Sequence, residues 1–263
     1  MNYPDKKPNT KKQSLYISIK ASQIPAVTTA QMREVDRLMI EKYGIQLIQM
    51  MENAGLNLAK LARRILENSV VGKHILIASG KGGNGGGGLV AARHLYNWGA
   101  KVTVLIEAED LLKNIPTIQW KTLKTLPLEN KTGEAALQFL SSVTADLVLD
   151  ALIGYGLESN PHGWPAKMIK QINMLDIPIV ALDVPSGLDA TTGEIYEPCI
   201  RASATLTLAL PKTGLIKSEV KSIVGLLYLA DISVLDVLYK ELGFEIPLLF
   251  AQNSIIHLNM DEG

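Results

Sequence analysis

Three short segments hold the residue types needed to bind an anion, bind a cation and move a proton. GKGGNGGGG, residues 80–88, carries seven glycines in nine positions, between an apolar run and an amphipathic stretch. DALIGYGLESNP, residues 150–161, opens on Asp150 and bends at Gly154 and Gly156. ALDVPSGLDATTGE, residues 181–194, sets Asp183 and Ser186 around a Pro-Ser-Gly turn.

A backbone without Cβ atoms lets N–H groups approach an anion closely, and an adjoining helix N-terminus adds partial positive charge. The first segment therefore reads as a cradle for phosphate or pyrophosphate. Gly80, Gly82 and Gly85 spell G-x-G-x-x-G, a weak signal alone, and the G-K-[ST] ending of a nucleotide-hydrolysing loop is absent. The bland alternative is a flexible connection, yet such links need only about two to six residues and no glycine run.

Asp150 and Asp183 each end an otherwise apolar run. Burying a carboxylate is costly unless donors or a cation compensate. Each also has a plainer reading, as a cap or Asx-type organiser of the turn that follows, which is the default for Asp189. Two carboxylates beside a phosphate cradle would repel each other and the ligand. A cation held by oxygens of Asp150, Ser186 and an amide such as Asn84 relieves that conflict, and an all-oxygen set favours a hard ion.

The surrounding sequence supplies elements to position these groups. HILIAS (74–79), KVTVLIEA (101–108), DLVLDALI (146–153), PIVALDVP (178–185), SATLTLAL (203–210) and GLLYLADI (225–232) read as strands. Several are apolar throughout, as expected when helices cover both faces of a parallel sheet. Helical patterns fall at 87–98, 133–142, 164–174 and 232–240, after two earlier helices, one from the threonines at 28 and 29, the next from about Gln46 to Glu67. This alternation predicts a three-layer α/β/α Rossmann-like sandwich with a mostly parallel sheet. TIQWKTL (117–123) is a weak candidate for an added edge strand. Ligands of such sheets bind beyond the carboxyl ends of the strands, where all three polar segments should emerge.

Residues 1–18, with their lysines and prolines, read as a flexible basic tail, and 19–263 as one domain. The stretch from Leu242 onward breaks the strand–helix rhythm and reads as a surface extension or an oligomer contact, such as a homodimer would use. Lys plus Arg and Asp plus Glu each total 26, so no global field favours nucleic acid or a membrane. No apolar run reaches the length of a membrane span. The single Cys199 excludes an internal disulfide framework and fits a reducing cytoplasm. The four histidines share no ligand spacing, and Lys212 is by default a solvated cation, with phosphate contact as its alternative.

Over about residues 27 to 235, ordered motifs carry a family resemblance: AQMREVD, MMENAG, G-x-G-x-N-G-G-x-G-LVAARHL, VLDALIGYGL, ALDVPSGLDATTG and TLTLALPKTGL. The chain resembles the YjeF N-terminal family, the NAD(P)HX epimerases. That resemblance implies a Rossmann-like fold and interconversion of the R and S forms of hydrated NADH or NADPH, NADHX and NADPHX. It implies substrate contacts at Gly83, Asn84, Gly85, Gly86 and Gly87. Further contacts fall at Gly154, Tyr155, Gly156, Leu157, Glu158, Ser159, Asn160 and Asp183. It also implies a potassium ion at Asn84, Asp150 and Ser186. Asp183 is the candidate acid–base group. The family loop usually reads N-N-G-G-D-G; here Gly83 and Gly87 replace the first asparagine and the aspartate, and Tyr155 stands where threonine is common. Those glycines raise the alternative of a catalytically silent nucleotide- or protein-binding member. A nicotinamide-dependent oxidoreductase needs an acid about 20 residues past the glycines, for which Glu107 or Glu109 falls late.

Overall fold

The computed structural model describes residues 16–260. Its strands are β1 (Ser18–Lys20), β2 (His74–Ser79), β3 (Lys101–Ile106), β4 (Glu129–Thr132), β5 (Leu147–Ala151), β6 (Ile179–Leu182), β7 (Ala204–Leu208), β8 (Leu226–Ala230) and β9 (Ile255–Asn259). They form one sheet in the order β1-β9-β8-β7-β6-β5-β2-β3-β4, parallel except between β8 and β9. Its helices are α1 (Thr29–Glu41), α2 (Leu47–Ile65), α3 (Gly83–Asn97), α4 (Asn114–Leu123), α5 (Gly133–Leu140), α6 (Gly163–Ile172), α7 (Lys221–Val224) and α8 (Asp236–Glu241).

Alternation along each strand divides the core between two faces. Ile75, Ile77, Val102 and Val104 pack with Leu58, Leu61, Leu89 and Leu95 of α2 and α3. Leu76, Ala78 and Leu105 pack oppositely with Leu137, Leu140, Met168 and Ile169 of α5 and α6. The three-layer α/β/α reading therefore holds. α1 starts where Thr28 caps it: the Gln31 N–H donates to Thr28 Oγ1, while the Thr28 N–H donates to Gln31 Oε1 at 2.8 Å. No helix among the described residues is long and apolar enough to cross a membrane.

Four readings need correction. TIQWKTL lies in α4, where Trp120 and Leu123 are buried on one face; the edge strand is instead the polar ENKT of β4. The C-terminal stretch is no surface extension, since β9 pairs with both β8 and β1 and buries Ile255, Ile256 and Leu258. Ser18 belongs to β1 rather than to a tail, while residues 1–15 of that tail lie outside the described residues. The glycine run is mainly helix: α3 begins at Gly83, not at residue 87.

Candidate active site

A cavity of about 750 Å³ opens at the carboxyl ends of the strands. It is lined by Gly83, Asn84 and Gly87 after β2, by Leu152 through Leu157 after β5, and by Asp183 after β6. Ser159 and Asn160 also line it, whereas Gly85, Gly86, Glu158, Asp150 and Ser186 do not. The three polar segments thus converge on one rim. His162 also lines this cavity, as an exposed residue within the surface role expected of the histidines.

α3 starts without a side-chain cap at Gly82, and the Gly86 N–H makes the first turn's bond to the Gly82 carbonyl at 3.1 Å. The N–H groups of Gly83, Asn84 and Gly85 precede that bond and have no carbonyl one turn back. The glycines behind them serve packing. A Cβ on Gly85 would stand 1.8 Å from the Gly80 carbonyl oxygen, and one on Gly86 2.2 Å from Met51 Sδ. α3 is thereby pressed against α2 and the ends of β2 and β5. The side-chain positions of Gly85 and Gly86 are filled by protein, which leaves their backbone alone to meet a ligand. Gly83 has open space, and a Cβ on Gly87 would meet Leu182 Cδ2 at 2.7 Å.

Asp150 is fully buried at the end of β5. Its carboxylate accepts the Ser186 N–H at 2.8 Å, the Ser186 hydroxyl at 2.6 Å and the Leu152 N–H at 3.2 Å. Burial pushes this carboxyl up to about 6, against the downward pull of those bonds. No cationic side chain pairs with it among the described residues. The loop after β5 abuts Asn84, whose Cβ and Cγ lie 3.3 Å from the position a Cβ would take on Gly154. The Asn84 Nδ2 is buried without a partner among the described residues. Asp150 and Ser186 present oxygen atoms in mutual contact, a donor type that suits a hard cation rather than zinc or copper.

Asp183 follows β6 with φ of 65°, a left-handed conformation that a non-glycine residue holds only where its surroundings impose it. Its N–H donates to the Leu206 carbonyl at 2.8 Å. Its Oδ1 accepts the Lys212 ammonium and the Leu208 N–H. Lys212 also donates to the Leu208 carbonyl at 2.8 Å and to Thr207 Oγ1 at 3.3 Å. Lys212 is 0% exposed, so the default of a solvated cation is overturned. Oδ2 of Asp183 takes no hydrogen bond among the described residues, on a side chain that lines the cavity.

Asp36 was missed. It lines the cavity from α1 and accepts the Tyr155 hydroxyl at 2.5 Å. Burial raises its carboxyl, and the Tyr155 bond pulls it partly back. The available signal was its position one helical turn after Met32 and beside Val35, on the buried face of α1. Cys199 fits its structural reading, its thiol pushed up to about 12 by burial.

The family described as YjeF-related protein N-terminus matches residues 47–214. The chain belongs to the YjeF N-terminal family. The match spans the glycine run, Asp150, Asp183, Ser186 and Lys212, while Asp36 precedes it. The NAD(P)H-hydrate epimerase of Dehalogenimonas lykanthroporepellens is 39% identical over 236 residues, covering 88% of this chain and 91% of that protein. The bifunctional NAD(P)H-hydrate repair enzyme Nnr of Moorella thermoacetica is 42% identical over 233 residues, covering 86% of this chain and 43% of that protein. The crystal structure of yeast ynu0, YNL200c, shares the fold, with a TM-score of 0.79 and 24% identity over 89% of this chain and all of that one. This YjeF N-terminal member thus has its carboxylates, buried lysine and glycine helix on one rim.

Proposed function

We propose that the chain is an NAD(P)H-hydrate epimerase, interconverting the R and S forms of NADHX or NADPHX. Relatives bearing that name support the substrate class. The observation that carries the chemistry is Asp183, fixed through Oδ1 by Lys212 and free at Oδ2 toward the cavity.

Inversion at C6 of the hydrated nicotinamide requires the C6–O bond to break and re-form on the other face. The ring-nitrogen lone pair moves into an N1–C6 double bond as the hydroxyl leaves with a proton, as water. Water then adds to the opposite face and returns one proton. Asp183 relays a proton taken from solvent at Oδ2 to the departing hydroxyl and takes one back from the incoming water, a role of about 10²–10⁴ in rate. Lys212 orients that carboxylate without competing for Oδ2. The N–H groups of Gly83 and Asn84, unpaired among the described residues, face the diphosphate, with the start of α3 adding its partial positive charge. Gly83 and Gly87 leave these backbone donors in place.

A potassium ion held by Asn84, Asp150 and Ser186 would neutralise the buried Asp150 and offset substrate charge. The missing cationic partner of Asp150 supports that assignment.

The test is a coupled assay with R-NADHX and an S-specific dehydratase. Wild-type protein accelerates flux above the spontaneous rate, and Asp183→Asn removes the acceleration while leaving the circular dichroism unchanged. A wild-type rate equal to the spontaneous one rejects the proposal and favours a silent binder.

A further inference from the structure

The cavity reaches a carboxylate that the epimerisation does not use. Glu107 directly follows β3 and lines the cavity with Lys81 and Lys113. It is half-buried, and its carboxylate takes no hydrogen bond or ion pair among the described residues. Glu109, two residues on, is instead ion-paired with Lys124 at 2.7 Å and lies outside the lining.

Topology says which part of a dinucleotide meets Glu107. β7, β6, β5, β2 and β3 are consecutive neighbours in the sheet. With strands about 4.8 Å apart, the rim from β7 to β3 spans roughly 19 Å. Asp183 and Lys212 stand at the β6–β7 end, and the N-terminus of α3 follows β2. A ligand with its reacting ring at Asp183 and its diphosphate at α3 has its remaining half over β3. That half is adenosine, and its ribose falls at Glu107.

The chemistry fits a free ribose. A vicinal diol offers two O–H donors, and an ionised carboxylate is acceptor-only, with two oxygens to receive them. A 2′-phosphate at the same place offers no donor and sets about −1.5 to −2 charge against the carboxylate. Lys81 and Lys113 are exposed at this end and contribute solvated positive charge without a fixed contact to the sugar. Glu107 also follows the last glycine of the run by about 20 residues, the separation at which doubly wound folds place their ribose-binding acid.

We infer that Glu107 is the specificity-determining residue for the adenosine ribose, accepting from its 2′- and 3′-hydroxyls and favouring NADHX over NADPHX. The inference rests on the epimerase reading for its choice of ligand.

Two measurements on wild-type protein, Glu107→Gln and Glu107→Ser test it: calorimetric titration with NAD and NADP, and epimerisation of R-NADHX and R-NADPHX. Wild-type protein binds NAD about tenfold or more tighter than NADP, the scale of hydrogen bonds to a charged group. Both variants lose that ratio, raising KM for NADHX with kcat within about twofold. Equal wild-type affinities, a wild-type preference for NADP, or a ratio unchanged in both variants overturns the inference. Wild-type protein that binds NAD selectively but does not catalyse overturns the epimerase reading alone. Protein that binds neither dinucleotide overturns both.

Discussion

Lys212 and Asp183 meet as an ion pair at a point where the lysine is fully buried and the aspartate nearly so. Such a pair costs much to desolvate, and removing one partner leaves the other charged and unmatched. Lys212→Met therefore destabilises the fold by about 3–5 kcal/mol in urea unfolding. Adding Asp183→Asn to that variant recovers part of the loss, because the stranded charge is gone. Strictly additive costs would show that the two groups are not coupled.

The glycines of α3 separate into tight and open positions. Gly85→Ala drives a methyl to within 1.8 Å of backbone oxygen, which no side-chain rotation relieves. It lowers stability by about 3 kcal/mol or more, the upper end of overpacking. Gly83→Ala meets only Met51 Cε at 4.0 Å and gains helix propensity, so it stays within about 1 kcal/mol of wild type, on the stabilising side. Thermal melts that rank the two variants alike would reject the packing account.

Burial raises the titration of Asp36, and Tyr155 tempers the rise. The folded protein holds the Asp36 proton to higher pH than the unfolded chain does, so this group's contribution to stability declines as pH rises from the ordinary carboxylate value through the raised one. Tyr155→Phe removes the bond that holds Asp36 down and raises it further. The stability gap between variant and wild type then widens with pH across that window and levels off above it. Asp36→Asn in both backgrounds abolishes the widening. A gap independent of pH would place the tyrosine's effect elsewhere.

Potassium binding leaves a thermodynamic trace apart from catalysis. A ligand that binds only the folded state raises the melting temperature with concentration. Potassium chloride, compared with tetramethylammonium chloride at equal ionic strength, stabilises wild-type protein. Asp150→Asn removes the difference, because the buried carboxylate no longer needs a counter-charge. Equal melting in both salts for wild-type protein argues against a site at Asn84, Asp150 and Ser186.

The central strands were legible because both of their faces are covered, which leaves an uninterrupted apolar run in the sequence. The edges were not. TIQWKTL alternates β-branched and aromatic residues as a strand would, yet only one helical face of it is buried, whereas ENKT is polar throughout and carries no apolar signal of a strand. The glycine run was placed correctly at the rim but misread in conformation, because tertiary contact with Met51, Ala151 and Gly80 overrides glycine's poor helix propensity. Asp150 and Asp183 stood out as carboxylates ending apolar runs, and both are buried at the ends of β5 and β6. Lys212 was not, since a lysine with no exposed surface is rare enough that solvation is the sensible default.

The pairing of β1 with β9 has a consequence for the order of assembly. Among the described residues, Ser18–Lys20 bonds along the sheet to the strand formed by residues 255–259 alone, so this segment waits for one made more than 200 residues later. The glycine helix and its neighbouring strands can dock before residues 255–259 have left the ribosome; the far margin of the sheet cannot close until they have.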